Sequence, residues 1–336
     1  MLTVLRVYHY APRKTGLLAR AVLPTLNELR REGGHQAAFV TRHWDGGSHL
    51  ALHCGYGPLP ADATGRVAER AAALGESGRT WSTEEYQSRR AEFERAEGRT
   101  ARHPAPFPHG TVRVERESDP TPLDAVRHRL LTGLTDVLWN QVTLGGDARL
   151  GPGLVLQLML AAGAVYPGGL RFGSLSYRSH AEAYLAASPD EPALRERFDG
   201  AYRQRAEALG RLVAGALADP ASLAGHRAFT QAYARLTEPD LDTPVSTLLD
   251  AADRTTPTPQ DGQVSAFHTV LREGGFHRRP PVGFLPFRVL VNWLYDILPV
   301  LDVSAADRYL YCYCIARAVD ERLGEAWQDR LNMRPN

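Results

Sequence analysis

Residues 37–54 read AAFVTRHWDGGSHLALHC, and this stretch decides the fold class. Two segments that read as strands, Ala37 to Trp44 and Ser48 to Cys54, flank Asp45-Gly46-Gly47. Glycines that reach positive φ at no steric cost, set between two such runs, are a hairpin signal. Working outward, Leu2 to Tyr10 alternates apolar and polar residues and reads as a strand. Thr15 is placed to cap a helix running to about Glu32, with Leu18, Val22, Leu26 and Leu29 on its inner face and Gly33-Gly34 as its stop. Strand, helix, hairpin is the opening of an α+β fold, an antiparallel or mixed sheet with packed helices, rather than a doubly wound sheet.

The remainder is mostly helical. Residues from about Glu76 to Pro122 are charged and proline-bearing, with a helix expected over Thr83 to Arg95, an exposed loop beyond it and a soft internal boundary near 76–122. Helical periodicity returns over Leu123 to Trp139, and Gly151 to Tyr166 reads as a buried helix. A short strand is expected over Leu170 to Tyr177, and one long amphipathic helix over Ala193 to Ala218. Residues Glu238 to Gly262 read mostly as loop around one short helical turn, and helices are expected near Val264–Glu273, Phe287–Leu298 and Ala305–Leu323.

Composition narrows the function. The 336 residues are 43% hydrophobic and 23% charged, enough for a sizeable core. A net charge of +1 gives no electrostatic case for nucleic acid or a membrane surface. Lys14 is the only lysine, so the cations are arginines, planar donors suited to carboxylates and peptide carbonyls. Cys54, Cys312 and Cys314 form no disulfide framework, which fits a reducing cytoplasm. The first residues lack a signal-peptide layout, and the Leu154 to Tyr166 apolar run is too short for a bilayer of about 30 Å. No Walker loop, dinucleotide fingerprint or CxxC pair is present, so no cofactor is expected. His49 and His53 would share a strand face but stand about 13 Å apart, too far to share an ion.

Candidate functional residues fall in three places. Ser179 and Glu182 fit a capping box, which would leave Ser174, Ser176, Tyr177, Arg178 and His180 at a strand-to-helix junction, either a hydrogen-bonded turn or a site. His268 and Arg272 lie four apart on one helix face, where His268 is either a satisfied core histidine or a catalytic one; His277-Arg278-Arg279 reads as a solvated basic turn. Ser304 and Asp307 form a second capping box ahead of Tyr309 to Ala316, a piece apolar all round, in which Tyr309 and Tyr313 share a face and need hydrogen-bond partners.

Phe39 to Leu52, with its aromatic, Arg42, Trp44, Asp-containing turn and His-Leu-x-Leu, resembles the strand-turn-strand signature of the thiopeptide-type, lantibiotic dehydratase C-terminal family. The N-terminal strand with Ala11-Pro12 and the Phe267-His268 segment fit the same pattern. The resemblance implies a single elimination-domain-like unit spanning 1–336. In that family, elimination domains remove glutamate from glutamylated Ser or Thr, and a shorter branch comprises the pyridine synthases of thiopeptide biosynthesis. The chain has no room for the glutamylation domain. It also departs from the eliminase pattern, with Leu271-Arg272 and Glu273-Gly274 where an Asn-Arg pair usually follows the histidine. The Ser-Tyr-Arg-Ser-His and Tyr-Leu-Tyr-Cys-Tyr-Cys runs look like pyridine synthases.

What that branch implies is a formal [4+2] closure between two dehydroalanines of a dehydrated, azole-containing precursor peptide, then loss of water and of the leader peptide, with no redox cofactor and no metal. The resemblance places catalytic residues at Arg42 and His268, and position and chemistry add Tyr177, Arg178, Tyr309 and Tyr313. Substrate contacts are expected at Trp44, Ser176, His180 and Arg272. Leader-peptide contacts are expected at Arg6, Arg13 and Lys14, which are otherwise ordinary surface cations. The precursor with its leader, and dehydratase subunits of the same pathway, are the implied partners, and a homodimer is compatible with the sequence. An elimination subunit acting on glutamyl esters and a noncatalytic precursor-binding scaffold are the alternatives.

Overall fold

The computed structural model describes residues 1–33, 38–56, 59–75, 79–97, 100–238, 241, 247–248, 264–274, 281 and 283–332. The His277-Arg278-Arg279 turn and most of the loop expected between Glu238 and Gly262 lie outside them. The chain divides into two compact units, residues 1–153 with 295–302, and residues 154–294 with 303–336.

The first unit is built on a four-stranded antiparallel sheet in the order β2-β3-β1-β4: β1 Leu2–Tyr8, β2 Phe39–His43, β3 His49–Tyr56 and β4 Val112–Glu117. The α+β class and the hairpin are as the sequence indicates. Strand β4 is a correction: Val112–Glu117 falls in the charged stretch expected to be helix and loop. Its sequence VRVERE alternates, but its arginines and glutamates disguise an edge strand as a solvated loop.

All seven residues of β1 are buried, the polar ones included. Arg6 donates to Glu115 (2.8 Å) and Glu117 (3.2 Å) on β4 and stands 3.0 Å from His49 Nε2 on β3, so cross-strand charge pairs satisfy it inside the sheet. At the hairpin tip Gly46 and Gly47 take φ of 74° and 109°. A Cβ on Gly47 would stand 1.9 Å from the Tyr10 hydroxyl oxygen, so glycine is required there. The Asp45 carboxylate accepts the backbone N–H groups of Arg102 and His103, both at 3.0 Å, and the Tyr86 hydroxyl accepts Gly46 N–H and donates to His103 O. These bonds stitch the turn to the segment that precedes β4.

Helices α1 (Thr15–Leu17) and α2 (Leu23–Gly33) are joined by a π-helical turn, Leu18–Val22. Thr15 is not their cap. The Asp302 carboxylate does that work, accepting Lys14 N–H (2.8 Å) and Thr15 N–H (3.1 Å). Helices α3 (Ala63–Ala72), α4 (Thr83–Glu97) and α5 (Pro122–Gly145) complete this unit.

The second unit is helical. Helix α6 (Pro152–Ala164) and helix α12 (Phe284–Ile297) carry the chain across the division; between and after them come α7 (Leu170–Ala186), α8 (Glu191–Arg203), α9 (Ala206–Ala218), α10 (His226–Thr237), α11 (Ala266–Glu273), α13 (Ala305–Leu323) and α14 (Trp327–Asn332). The segment Phe284–Leu301 is long and apolar enough to cross a membrane, and is 67% buried within the protein, as a core helix would be.

Two further expectations are corrected here. The strand expected over Leu170 to Tyr177 is the first half of α7, so Ser179 is a mid-helix residue and no N-cap. Helix α6 approaches α7 so closely that a Cβ on Gly173 would lie 1.9 Å from the Gly163 carbonyl oxygen. Tertiary packing through two glycines therefore outweighs a strand-like local pattern. The long helix expected over Ala193 to Ala218 breaks at Gln204-Arg205 into α8 and α9. The Ser304–Asp307 capping box is present at the start of α13.

Candidate functional site

In the second unit, α7, α11 and α13 bring together a group of proton donors. On α7, Ser176, His180 and Tyr184 follow at four-residue spacing and so share a face, with Ser179 beside them. On α11, half-buried His268 is held at both ring nitrogens: Nδ1 lies 2.7 Å from Ser265 Oγ and Nε2 lies 3.0 Å from Ser179 Oγ. Ser265 is also the N-cap of α11, accepting the His268 backbone N–H at 3.3 Å. His180 is buried, and burial, followed by the positive charges of Arg308 and Arg288 and by His268, lowers its pKa to about 3. It is neutral at ordinary pH. On α13, Arg308 donates to the Tyr309 hydroxyl at 2.9 Å and lies 4.7 Å from its ring centre, while Tyr309 stacks on Tyr184 at 4.2 Å. Two guanidinium groups, two histidines and two phenols in one neighbourhood can hydrogen-bond amide and hydroxyl oxygens and offset negative charge that develops on them.

Arg178 and Tyr313 belong to a second group. Arg178, Glu182, Arg195, Tyr313 and Arg317 line a cavity of about 70 Å³. There the Tyr313 hydroxyl donates to Asp199, Arg317 pairs with Asp199 and Glu321, Arg195 pairs with Glu182 and Glu191, and Arg178 pairs with Asp320. Each arginine is matched by a carboxylate, so these side chains brace α7, α8 and α13. Stacked rings join the two groups: Tyr309 on Tyr184, Tyr184 over Phe198 (6.3 Å), and Phe198 edge-on to Tyr313 (5.6 Å).

Tyr177 lies in the core. Its side chain is fully buried and its hydroxyl donates to Met159 O, which ties α7 to α6; burial raises its pKa well above the ordinary phenol value. Arg272 is exposed near the end of α11, and Ser176 is half-buried one turn before His180.

The remaining expected residues lie in the first unit. Arg42 donates to Pro299 O (2.9 Å) and to Asp302 (2.8 Å). Trp44 packs with Tyr86, Ala101 and Trp81. Arg6 and Lys14 are not surface cations: the Lys14 ammonium is buried and donates to the carbonyls of His9 and Ala11, and Arg6 is enclosed by its glutamates. Arg13 is exposed. Arg42, Trp44 and Asp45 each hold a neighbouring segment in place.

Sequence reasoning missed Arg288, Arg308, Ser179 as a histidine partner, and Ser265. A signal existed for one of them, since Arg308 immediately precedes the tyrosine run on a helix. For Ser179 the apparent capping box concealed its role.

No protein-family model matches the sequence, and no curated protein is significantly similar to it. Solved structures are similar to it. One titled pyridine synthase, TbtD, from thiomuracin biosynthesis, superposes with a TM-score of 0.69 at 22% identity, covering 96% of this chain and 99% of that one. TsrL gives a TM-score of 0.64 at 17% identity, covering 100% of this chain and 99% of that one. A third, the tRNA dependent lantibiotic dehydratase MibB from Microbispora sp. 107891, overlaps more weakly, with a TM-score of 0.44 at 16% identity over 28% of its length. From end to end, this chain has the thiopeptide pyridine synthase fold.

Proposed function

We propose that this chain is a pyridine synthase of thiopeptide biosynthesis, a cytoplasmic enzyme acting on a dehydrated, azole-containing precursor peptide. The observation that carries the reading is the end-to-end fold match to TbtD, over 96% of one chain and 99% of the other. The donor-rich group on α7, α11 and α13 supports it chemically. In the proposed reaction one dehydroalanine and its preceding amide tautomerise to a 2-azadiene. A second dehydroalanine supplies two carbons, and a formal [4+2] closure forms two ring bonds. Water and then the leader, as an amide, depart to leave the aromatic ring. The sequence is redox-neutral and needs no external electron carrier.

Each step asks for proton donors near oxygen and nitrogen and for two distant parts of one peptide to be held together. His268, Tyr309 and Arg308 are the proposed donors. His180, Ser176 and Arg288 are proposed as flanking contacts, and Arg272 as a contact near the end of α11. Arg13 remains the leader contact proposed on the first unit. The reading is tested by incubating the purified protein with dehydrated precursor and following mass: the leader should be released as an amide and a dehydrated macrocycle should remain. Loss of glutamate alone from a glutamylated precursor would support the eliminase instead, and unchanged precursor with tight binding would support the scaffold.

A further inference from the structure

His268 is held by two serines from two helices, one at each ring nitrogen. Ser265 Oγ accepts the His268 backbone N–H at 3.3 Å, which leaves its own proton for the ring. At 2.7 Å from Nδ1 it is placed to donate that proton to the ring. With that hydroxyl donating, Nδ1 would accept and the ring proton would stand on Nε2. Nε2, 3.0 Å from Ser179 Oγ, would then donate to that serine. Helix capping accounts for Ser265, whereas Ser179 lies within α7, where a serine adds no helix propensity.

We propose that Ser179 is a positioning residue for His268, holding it, together with Ser265, in one ring plane and as the Nε2–H tautomer. The role in turnover rests on the proposed function, but the tautomer can be read without turnover.

The experiment uses full-length protein labelled with ¹⁵N-histidine, with His268→Gln to assign the His268 ring signals. The expected spectrum has a protonated Nε2 and an unprotonated Nδ1, and Ser179→Ala should move both toward averaged values. In turnover, Ser179→Ala should lower kcat by about 10- to 100-fold, the scale of a misplaced catalytic group, with KM nearly unchanged. Ser179→Thr, which keeps the hydroxyl, should restore much of it, and Ser179→Ala should cost nothing further in the His268→Gln background. An Nδ1–H tautomer in the wild-type protein, or an equal Ser179→Ala loss in both backgrounds, would overturn the inference. A wild-type protein that leaves the precursor unchanged defeats the proposed function, while the spectrum still decides the tautomer.

Discussion

Arg42 donates to the same Asp302 carboxylate that accepts the first backbone N–H groups of the α1 helix, at 2.8 Å from Arg42 and 2.8 and 3.1 Å from Lys14 and Thr15. Asp302 itself takes a left-handed conformation, φ 60°, an unusual position for a residue other than glycine. One carboxylate thus caps α1 and pins β2 to the turn after α12. Arg42→Ala should cost about 1–3 kcal/mol of stability, the penalty for a buried polar group that loses its partner. Asp302→Ala should cost more, because the helix loses its cap as well. Calorimetry checks this. A normal melting temperature with lost turnover would return Arg42 to a catalytic role.

The α6–α7 contact offers a stability test remote from the donor group. Gly173→Ala places a methyl against the Gly163 carbonyl, which is backbone and cannot swing away. Overpacking of this kind costs about 1–3 kcal/mol or more. Tyr177→Phe removes the hydroxyl that bonds Met159 O and should cost about 1 kcal/mol. Its turnover should match wild type under conditions where both are folded. A large kcat defect in Tyr177→Phe would contradict the placement of Tyr177 in the core.

These two sites show what the sequence made legible. The hairpin was legible because Asp45-Gly46-Gly47 demands positive φ and its flanks are strand-like. The chemistry attached to it was not, because Arg42 and Asp302 are 260 residues apart and their pairing exists only in the fold. The Ser179–His268 bond is hidden for the same reason, spanning 89 residues. Leu170 to Tyr177 misled because glycine-mediated helix contact overrides local alternation. Strand β4 was missed because edge strands carry charge. The α13 helix, with its capping box, was legible to the residue because its boundaries are set by local chemistry alone.

Acid should destabilise the protein in a defined window. The pKa of His180 is held at about 3 in the folded state, against 6.5 for an ordinary histidine. Its depressed value means the unfolded chain takes up the proton first. Stability is therefore full above pH 6.5, falls as pH drops below it, and stops falling through this group below about 3. The limiting slope is about 1.4 kcal/mol per pH unit per histidine. His9 and His128, held at about 4 mainly by burial, act in the same direction. Denaturant melts at pH 7 and pH 5 should show the difference, and His180→Gln should shrink it. An unchanged difference in that variant would mean His180 is protonated in the folded protein.

Leader binding should depend on exposed Arg13 and little on Arg6 or Lys14, which are buried. One exposed ion pair contributes up to about 1 kcal/mol, so Arg13→Ala should weaken isolated leader by up to about 5-fold and reduce its salt dependence. Titration of labelled leader checks this. Arg13→Ala binding identical to wild type at low salt would place the leader elsewhere.

The central claim is ring formation, and isotope labelling tests it most directly. A precursor carrying ¹³C at both reacting dehydroalanines is mixed with the purified protein, and the product is followed by ¹³C NMR. The account predicts that both labels move from olefinic to aromatic positions of one ring as the leader amide is released. Labels that stay olefinic, with glutamate as the only species released from a glutamylated precursor, would contradict it.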